Sequence, residues 1–188
     1  MFYLLNKKPT TVIGGRNVLE EVIRCIKGRR SIRKFDQTRD VEEEKIQTCL
    51  EAARWAPSAS NMQPWHFLIV RDKVTREKLA ELHPYGKFMA VSPVVFVPLG
   101  DPNRHQKYFH SDTAVAIQNF LLTAYAQGLG TCWAGVIDAP FEKEMKNLLG
   151  IPEDLRIICT VAVGYPAESP TKDRRPFEEL VSFEKYGQ

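Results

Sequence analysis

Residues 29–35 read Arg-Arg-Ser-Ile-Arg-Lys-Phe. The planar guanidinium fork suits the oxygens of a phosphate, and a serine hydroxyl adds a further donor. Alternate residues of an extended segment point the same way, so Arg29, Ser31 and Arg33 can converge on one ligand. A second basic group follows near the end of the chain, with Lys172, Arg174 and Arg175. Taken alone, either run serves equally well as a solvated basic loop. Two small and separate basic groups together suit one compact anion, such as a phosphate monoester.

Two further segments carry groups suited to a flat ring. Residues 56–65 read Ala-Pro-Ser-Ala-Ser-Asn-Met-Gln-Pro-Trp. The amides of Asn61 and Gln63 offer donors and acceptors to a heterocycle edge, and two prolines stiffen the loop. By itself this is an ordinary helix-to-strand connection, with Trp65 in the core. Residues 128–135 read Gly-Leu-Gly-Thr-Cys-Trp-Ala-Gly. Glycine lets backbone approach a planar ligand closely. A helix stop followed by a turn explains Gly128 and Gly130, but not Gly135.

Other chemistries have little support. Cys25, Cys49, Cys132 and Cys159 show no CxxC spacing, and three of them sit among apolar residues as small buried hydrophobes. His66, His83, His105 and His110 do not repeat at metal-ligand spacing. No GxGxxG, GxSxG or Walker loop occurs. A net charge of +3 does not suggest a nucleic-acid partner. No apolar run is long enough to span a bilayer, and residues 1–10 place lysines after apolar residues, the wrong order for a signal peptide. The expectation is a cytoplasmic protein with neither a membrane nor a nucleic-acid partner.

The elements that must position these segments follow from periodicity. Residues 1–16 read as an extension, and 17–188 as one domain. Asn17 and Glu20 form a capping-box pattern ahead of an apolar stripe of Val18, Leu19, Val22, Ile23 and Ile26, with Gly28 as the stop. A second helix is predicted over 41–55, capped by Asp40, with Ile46, Leu50 and Ala53 inward and Pro57 as its limit. Strands are predicted over 66–71, 94–99, 131–136 and 157–163. Helices are predicted over 74–82, capped near Asp72 or Thr75, and over 140–149, opened by Pro140 and closed by Gly150. Asp112 opens the most apolar helix, 113–127, placed at the centre of the protein or of a dimer. A last strand is predicted over 180–183, at a sheet edge or lent to a partner subunit.

Taken in order, these segments resemble the FMN-dependent nitroreductase family over residues 28–183. The resemblance rests on Arg-Arg-Ser-x-Arg-x-Phe, Pro-Ser-x-x-Asn-x-Gln-Pro-Trp, Gly-Leu-Gly-Thr-Cys-Trp, and a closing Gly-Tyr-Pro then Arg-Arg-Pro. It implies an α+β fold, a mixed and mainly antiparallel sheet flanked by helices, in an intertwined homodimer with two interfacial active sites. It implies that Arg29, Arg30, Ser31 and Arg33 form the first FMN-binding segment. Arg29 and Ser31 would lie on the phosphate or ribityl side, and Arg33 at the pyrimidine edge. Pro57, Ser58, Ala59, Ser60 and Asn61, with Gln63 beside them, would reach the flavin from the other subunit. Ala134 and Gly135 would run near flavin N5. Arg174 or Arg175 would hold the phosphate.

The activity implied is ping-pong: NAD(P)H reduces bound FMN, and a nitroaromatic, a quinone or a free flavin then takes the electrons. The flavin carries that chemistry, so no catalytic side chain and no metal is implied. Residues 82–93 are short and leave little chain for a lid over the substrate. Two other readings fit the same motifs, a specialised flavoenzyme acting on another substrate and a non-catalytic flavin-binding protein.

Overall fold

The computed structural model describes residues 12–13 and 16–187. Most of the expected extension, residues 1–11 and 14–15, lies outside them, as does the side chain of Asn17 with its expected cap. Two short strands, β1 (Val12–Ile13) and β2 (Arg16–Asn17), pair antiparallel. They lead into α1 (Val18–Gly28). The elements that follow are α2 (Glu43–Arg54), β3 (Trp65–Val70), α3 (Lys73–Leu82), β4 (Val94–Gly100) and α4 (Phe109–Ala126). After them come β5 (Gly130–Gly135), α5 (Glu142–Leu149), β6 (Arg156–Ile157) and β7 (Cys159–Gly164).

The main sheet has the order β3-β4-β7-β5, with β6 also paired to β4, and each of these pairs is antiparallel. A single parallel bridge between Ser31 and Thr131 carries the sheet one step beyond β5. Strand alternation sends side chains to two cores, as a sheet covered on both faces requires. Val94, Phe96, Val161 and Val163 pack with α2 and α4, where the Phe96 and Phe120 rings stack at 4.2 Å. Val95, Val97, Leu99 and Ala162 pack on the opposite face with Leu79 of α3 and Met145 of α5. The α+β reading holds, and α4 is central, with Ala116, Ile117, Phe120 and Ala124 fully buried.

Several boundaries differ from expectation for physical reasons. Helix α2 starts at Glu43, not residue 41, and Asp40 does not cap it. Asp40 instead accepts from the neighbouring Val41 N–H at 2.7 Å, and Val41 is drawn into the core before the helix begins. Leu50 is only partly buried, and Cys49 takes an inner position beside Ile46 and Ala53. Helix α4 begins one turn before Asp112, because the preceding turn already accepts its first amide, Phe109 N–H to His105 O at 3.0 Å. Gly130 belongs to β5 instead of the helix stop.

Asp72 does cap α3, accepting from Thr75 N–H at 2.7 Å. Helix α5 starts at Glu142, after Pro140, and Gly150 closes it in the left-handed region as expected. The strand expected over 157–163 is split at Ile158, whose N–H turns to Pro98 O at 3.1 Å and whose carbonyl accepts from Val136 and Ile137. No strand forms over 180–183 within the single chain. Phe177–Glu179 forms a short 3-10 turn there, and the chain beyond it pairs with no strand among the described residues. The free side of β5 is already occupied by Ser31. The apolar stripe of α1 faces outward, with Leu19, Val22, Ile23 and Ile26 all exposed within the single chain.

Candidate functional site

Residues 29–35 run extended beside β5 and the turn after β7. Ile32 N–H donates to Thr131 O at 2.9 Å, and Phe35 bridges Pro166. Alternation holds over Ser31, Ile32 and Arg33, where Ile32 is buried, Ser31 half-buried and Arg33 exposed, and it breaks at Phe35, which is buried as it bridges Pro166. Gly130 lets this segment lie close, because a Cβ there would stand 2.8 Å from the Ile32 side chain. The Arg33 and Lys34 amides both donate to the Glu168 carboxylate, tying the segment to the loop after β7.

A cavity of about 310 Å³ opens beside this segment, lined by Arg29, Arg30, Tyr125, Thr131 and residues 168–171. Arg29 is half-buried, and burial holds its guanidinium below the ordinary value, helped by the positive charges of Arg174 and Arg30. Arg30 Nη1 donates to the Lys27 and Arg29 carbonyls, yet its Nε is buried with no hydrogen-bond partner. Clustered cations beside an orphaned donor make a place where an anion would be favourable. Arg174 and Arg175 part company here. Arg174 acts electrostatically on Arg29, whereas Arg175 Nε pairs with Glu179 at 3.0 Å.

Cys132 is 1% exposed on β5 and gathers the same residues around it. Burial pushes its thiol up. The charges of Arg33 and Arg29 and a hydrogen bond with Ser31 oppose that, and Glu168 adds to it. Arg29, Ser31 and Arg33 therefore do converge on one neighbourhood. Further along β5, Ala134 is buried, whereas the Cβ side of Gly135 meets open space. The Gly135 carbonyl lies 3.0 Å from His83 Nε2.

Residues 57–63 lie elsewhere. They precede β3, at the opposite edge of the sheet from β5 and Ser31, so four strand spacings of about 4.8 Å separate the two segments. Ser60, Asn61 and Gln63 hold φ of 50°, 55° and 49°. Ser58 Oγ accepts from Gln63 N–H at 3.0 Å, and the buried Asp112 carboxylate accepts from Ala59 N–H at 3.0 Å. Thr113 donates to Pro64 O at 3.2 Å. The single chain thus brings Arg29, Ser31 and Arg33 to Cys132 and Arg174 to Arg29, sets residues 134–135 further along the same strand, and leaves the 57–63 loop apart.

A profile of the nitroreductase family matches residues 26–83 and 81–165. The chain belongs to the nitroreductase family. It is 39% identical over 170 residues to a protein of Methanothermobacter thermautotrophicus that carries a provisional name as an NADH dehydrogenase/NAD(P)H nitroreductase, with 88% of each chain covered. A similarly named structure from Parabacteroides distasonis superposes with a TM-score of 0.85 at 28% identity, covering 88% of this chain and 99% of that one. A nitroreductase structure from Desulfovibrio desulfuricans, also provisionally named and solved with FMN, has a TM-score of 0.77 at 32% identity, covering 88% and 97%.

No sequence motif marks His83, Asp112 or Glu168 as site residues. His83 follows an unremarkable helix end, Asp112 looks like a helix cap, and Glu168 sits in a polar loop. The local pattern of none of them signals the long-range bond it makes.

Proposed function

We propose that this chain is an FMN-dependent NAD(P)H oxidoreductase whose active site forms between two copies of residues 17–188. The observation that carries the reading is the cavity lined by Arg29 and Arg30, where Arg174 adds a third cation and Arg30 Nε lies buried without a partner. A phosphate monoester supplies the missing negative charge beside these guanidinium groups. Arg29, Arg30, Ser31 and Arg174 hold that phosphate and the ribityl chain. Arg33 faces the pyrimidine edge, and Ala134 and Gly135 flank N5, where the open side of Gly135 leaves room for a flat ring. FMN, when bound, supplies the hydride chemistry, accepting from NAD(P)H and passing electrons to a nitroaromatic, a quinone or a free flavin in a ping-pong cycle.

The chain's own residues bind, orient and supply charge. Arg33 places a fixed positive charge at the flavin edge that becomes anionic on reduction. Residues 57–61 and Gln63 come from the partner copy, which the sheet-wide separation within one chain supports. The exposed faces of α1 and α4 supply apolar surface for that pairing, with Leu19, Val22, Ile26 and Val115 each more than 40% exposed.

Anaerobic addition of NADH or NADPH to the purified protein tests the reading. The expected result is a yellow dimer that bleaches and regains its colour on adding menadione, with FMN released on denaturation. Absence of flavin after flavin-replete expression, recovery of FAD, or a bound flavin that neither cofactor bleaches would overturn it. Arg33→Gln, saturated with FMN, is expected to lower the flavin potential and slow reduction by NAD(P)H about tenfold. An unchanged potential and rate would remove Arg33 from this role.

A further inference from the structure

His83 is 4% exposed and sits just past the end of α3, with its ring against Phe141 at a centroid distance of 4.8 Å. Both ring nitrogens are engaged by backbone. Tyr85 N–H donates to Nδ1 at 3.1 Å, and Nε2 lies 3.0 Å from the Gly135 carbonyl. An N–H on one side and a carbonyl on the other leave one arrangement that satisfies both, the neutral ring with its proton on Nε2. One imidazole therefore joins the turn after α3 to the last residue of β5.

That turn also reaches the other end of the site. Gly86 N–H donates to His83 O at 3.0 Å, and Lys87–Met89 forms a 3-10 turn that buries Phe88 and Met89. The Arg33 guanidinium stands 6.0 Å from the centre of the Phe88 ring. Residues 83–89 thus touch both Gly135 and Arg33. A buried histidine held to one tautomer by two backbone bonds is a rigid bracket between these points.

We propose that His83 is a positioning residue for the flavin site. Its Nε2–H fixes the Gly135 carbonyl, and with it the backbone that faces N5. This rests on the reading that Gly135 flanks a bound flavin. His83 touches neither flavin nor substrate on this account, and it acts through Gly135.

Two variants separate the two bonds. The side-chain amide nitrogen of glutamine can occupy the place of Nε2, so His83→Gln keeps a donor for Gly135. The side-chain oxygen of asparagine can occupy the place of Nδ1, so His83→Asn keeps the acceptor for Tyr85 and loses the bond to Gly135. With both variants saturated with FMN, the expected result is reduction by NADH within about twofold of wild type for His83→Gln and about tenfold slower for His83→Asn. FMN affinity is expected to change by less than about threefold in either, because the phosphate contacts are untouched. Nitrogen-15 NMR of the ring in the wild-type protein, with or without flavin, is expected to show the neutral form protonated at Nε2. The Val136 amide, next to the fixed carbonyl, is expected to exchange faster only in His83→Asn.

A ring protonated at Nδ1, or equal reduction rates and equal Val136 exchange in the two variants, would overturn the proposal while leaving the FMN reading intact. A wild-type protein that takes up no FMN would instead bring down that reading, and this proposal with it.

Discussion

Residues 29–33 leave the end of α1 and touch β5 through one bridge, with no residue in the left-handed region, whereas residues 57–63 turn ahead of β3 with three side-chain-bearing residues there. The first segment stores electrostatic cost. Its arginines crowd together, and Arg30 Nε lies buried without an acceptor. The second stores conformational cost, of order 1 kcal/mol for each strained residue, offset by Ser58, Asp112 and Thr113. A ligand that brings negative charge relieves the first directly. The second is held in shape before any ligand arrives, so its contribution is a preset surface. Mutations that attack charge at one end and anchoring at the other should therefore fail differently.

The largest effect is expected from Arg29→Gln. It removes the half-buried guanidinium proposed to hold the phosphate, and FMN affinity should fall about 100-fold. The proposed dimer and its melting temperature should change little in the absence of flavin, because Arg29 sits among like charges there. Fluorescence titration with FMN and light scattering check the two halves of this expectation. A loss of affinity below threefold would take Arg29 out of the phosphate site.

Asp112→Ala is expected next. It leaves the Ala59 amide without its acceptor and frees the strained loop, so stability should drop by about 1–2 kcal/mol and FMN affinity by about tenfold. Asp112→Asn keeps an acceptor oxygen and should recover most of both. The pair reads whether the loop is preset by that hydrogen bond. If alanine costs stability but leaves FMN affinity unchanged, the loop does not contribute to the flavin site.

The structure also sharpens the choice between the two terminal arginines. Arg174→Gln should weaken FMN binding about tenfold and Arg175→Gln less than about twofold, since an exposed ion pair such as Arg175 with Glu179 contributes little. The reverse order would assign the phosphate to Arg175.

How far the sequence reached follows the range of the interactions. Helix and strand identities rested on local periodicity, and most central elements stand within a few residues of expectation. The convergence of Arg29, Ser31 and Arg33 was legible because alternation is a property of three neighbouring residues. The starts of α2 and α4 were not. Asp40 and Asp112 look like caps, but the core position of Val41 and the amide of Ala59 decide where those carboxylates turn. The bracket at His83 depends on β5, 52 positions away in sequence, and no local pattern announces it. Residues 180–183 form no strand within the single chain, and the other half of that expectation, pairing with a partner subunit, depends on a second copy.

The smallest effect is expected at Cys132, the side chain around which the first segment gathers. A thiol beside the proposed N5 strand invites a role as a nucleophile, and its reactivity depends on the thiolate. Burial raises its pKa, and the nearby arginines and Ser31 only partly oppose this. The sign matters. A raised pKa keeps the group a neutral thiol at neutral pH and delays the thiolate to more alkaline conditions, so no nucleophile is poised here. Cys49 of α2 shows the same physics, pushed up to about 12 by burial. Cys132→Ser keeps a small polar side chain next to Ser31 and Thr131. It should retain FMN and reduce menadione within about threefold of wild type, with a modest stability loss from placing a hydroxyl among apolar neighbours. Anaerobic stopped-flow reduction of the FMN-saturated variant measures this. Retained turnover places the chemistry in the flavin and leaves Cys132 as packing beneath the converging arginines. A variant that binds FMN fully and yet turns over nothing would put an essential thiol into the reaction, and the contrast between a charge-built segment and a strain-built loop would then omit a reacting group.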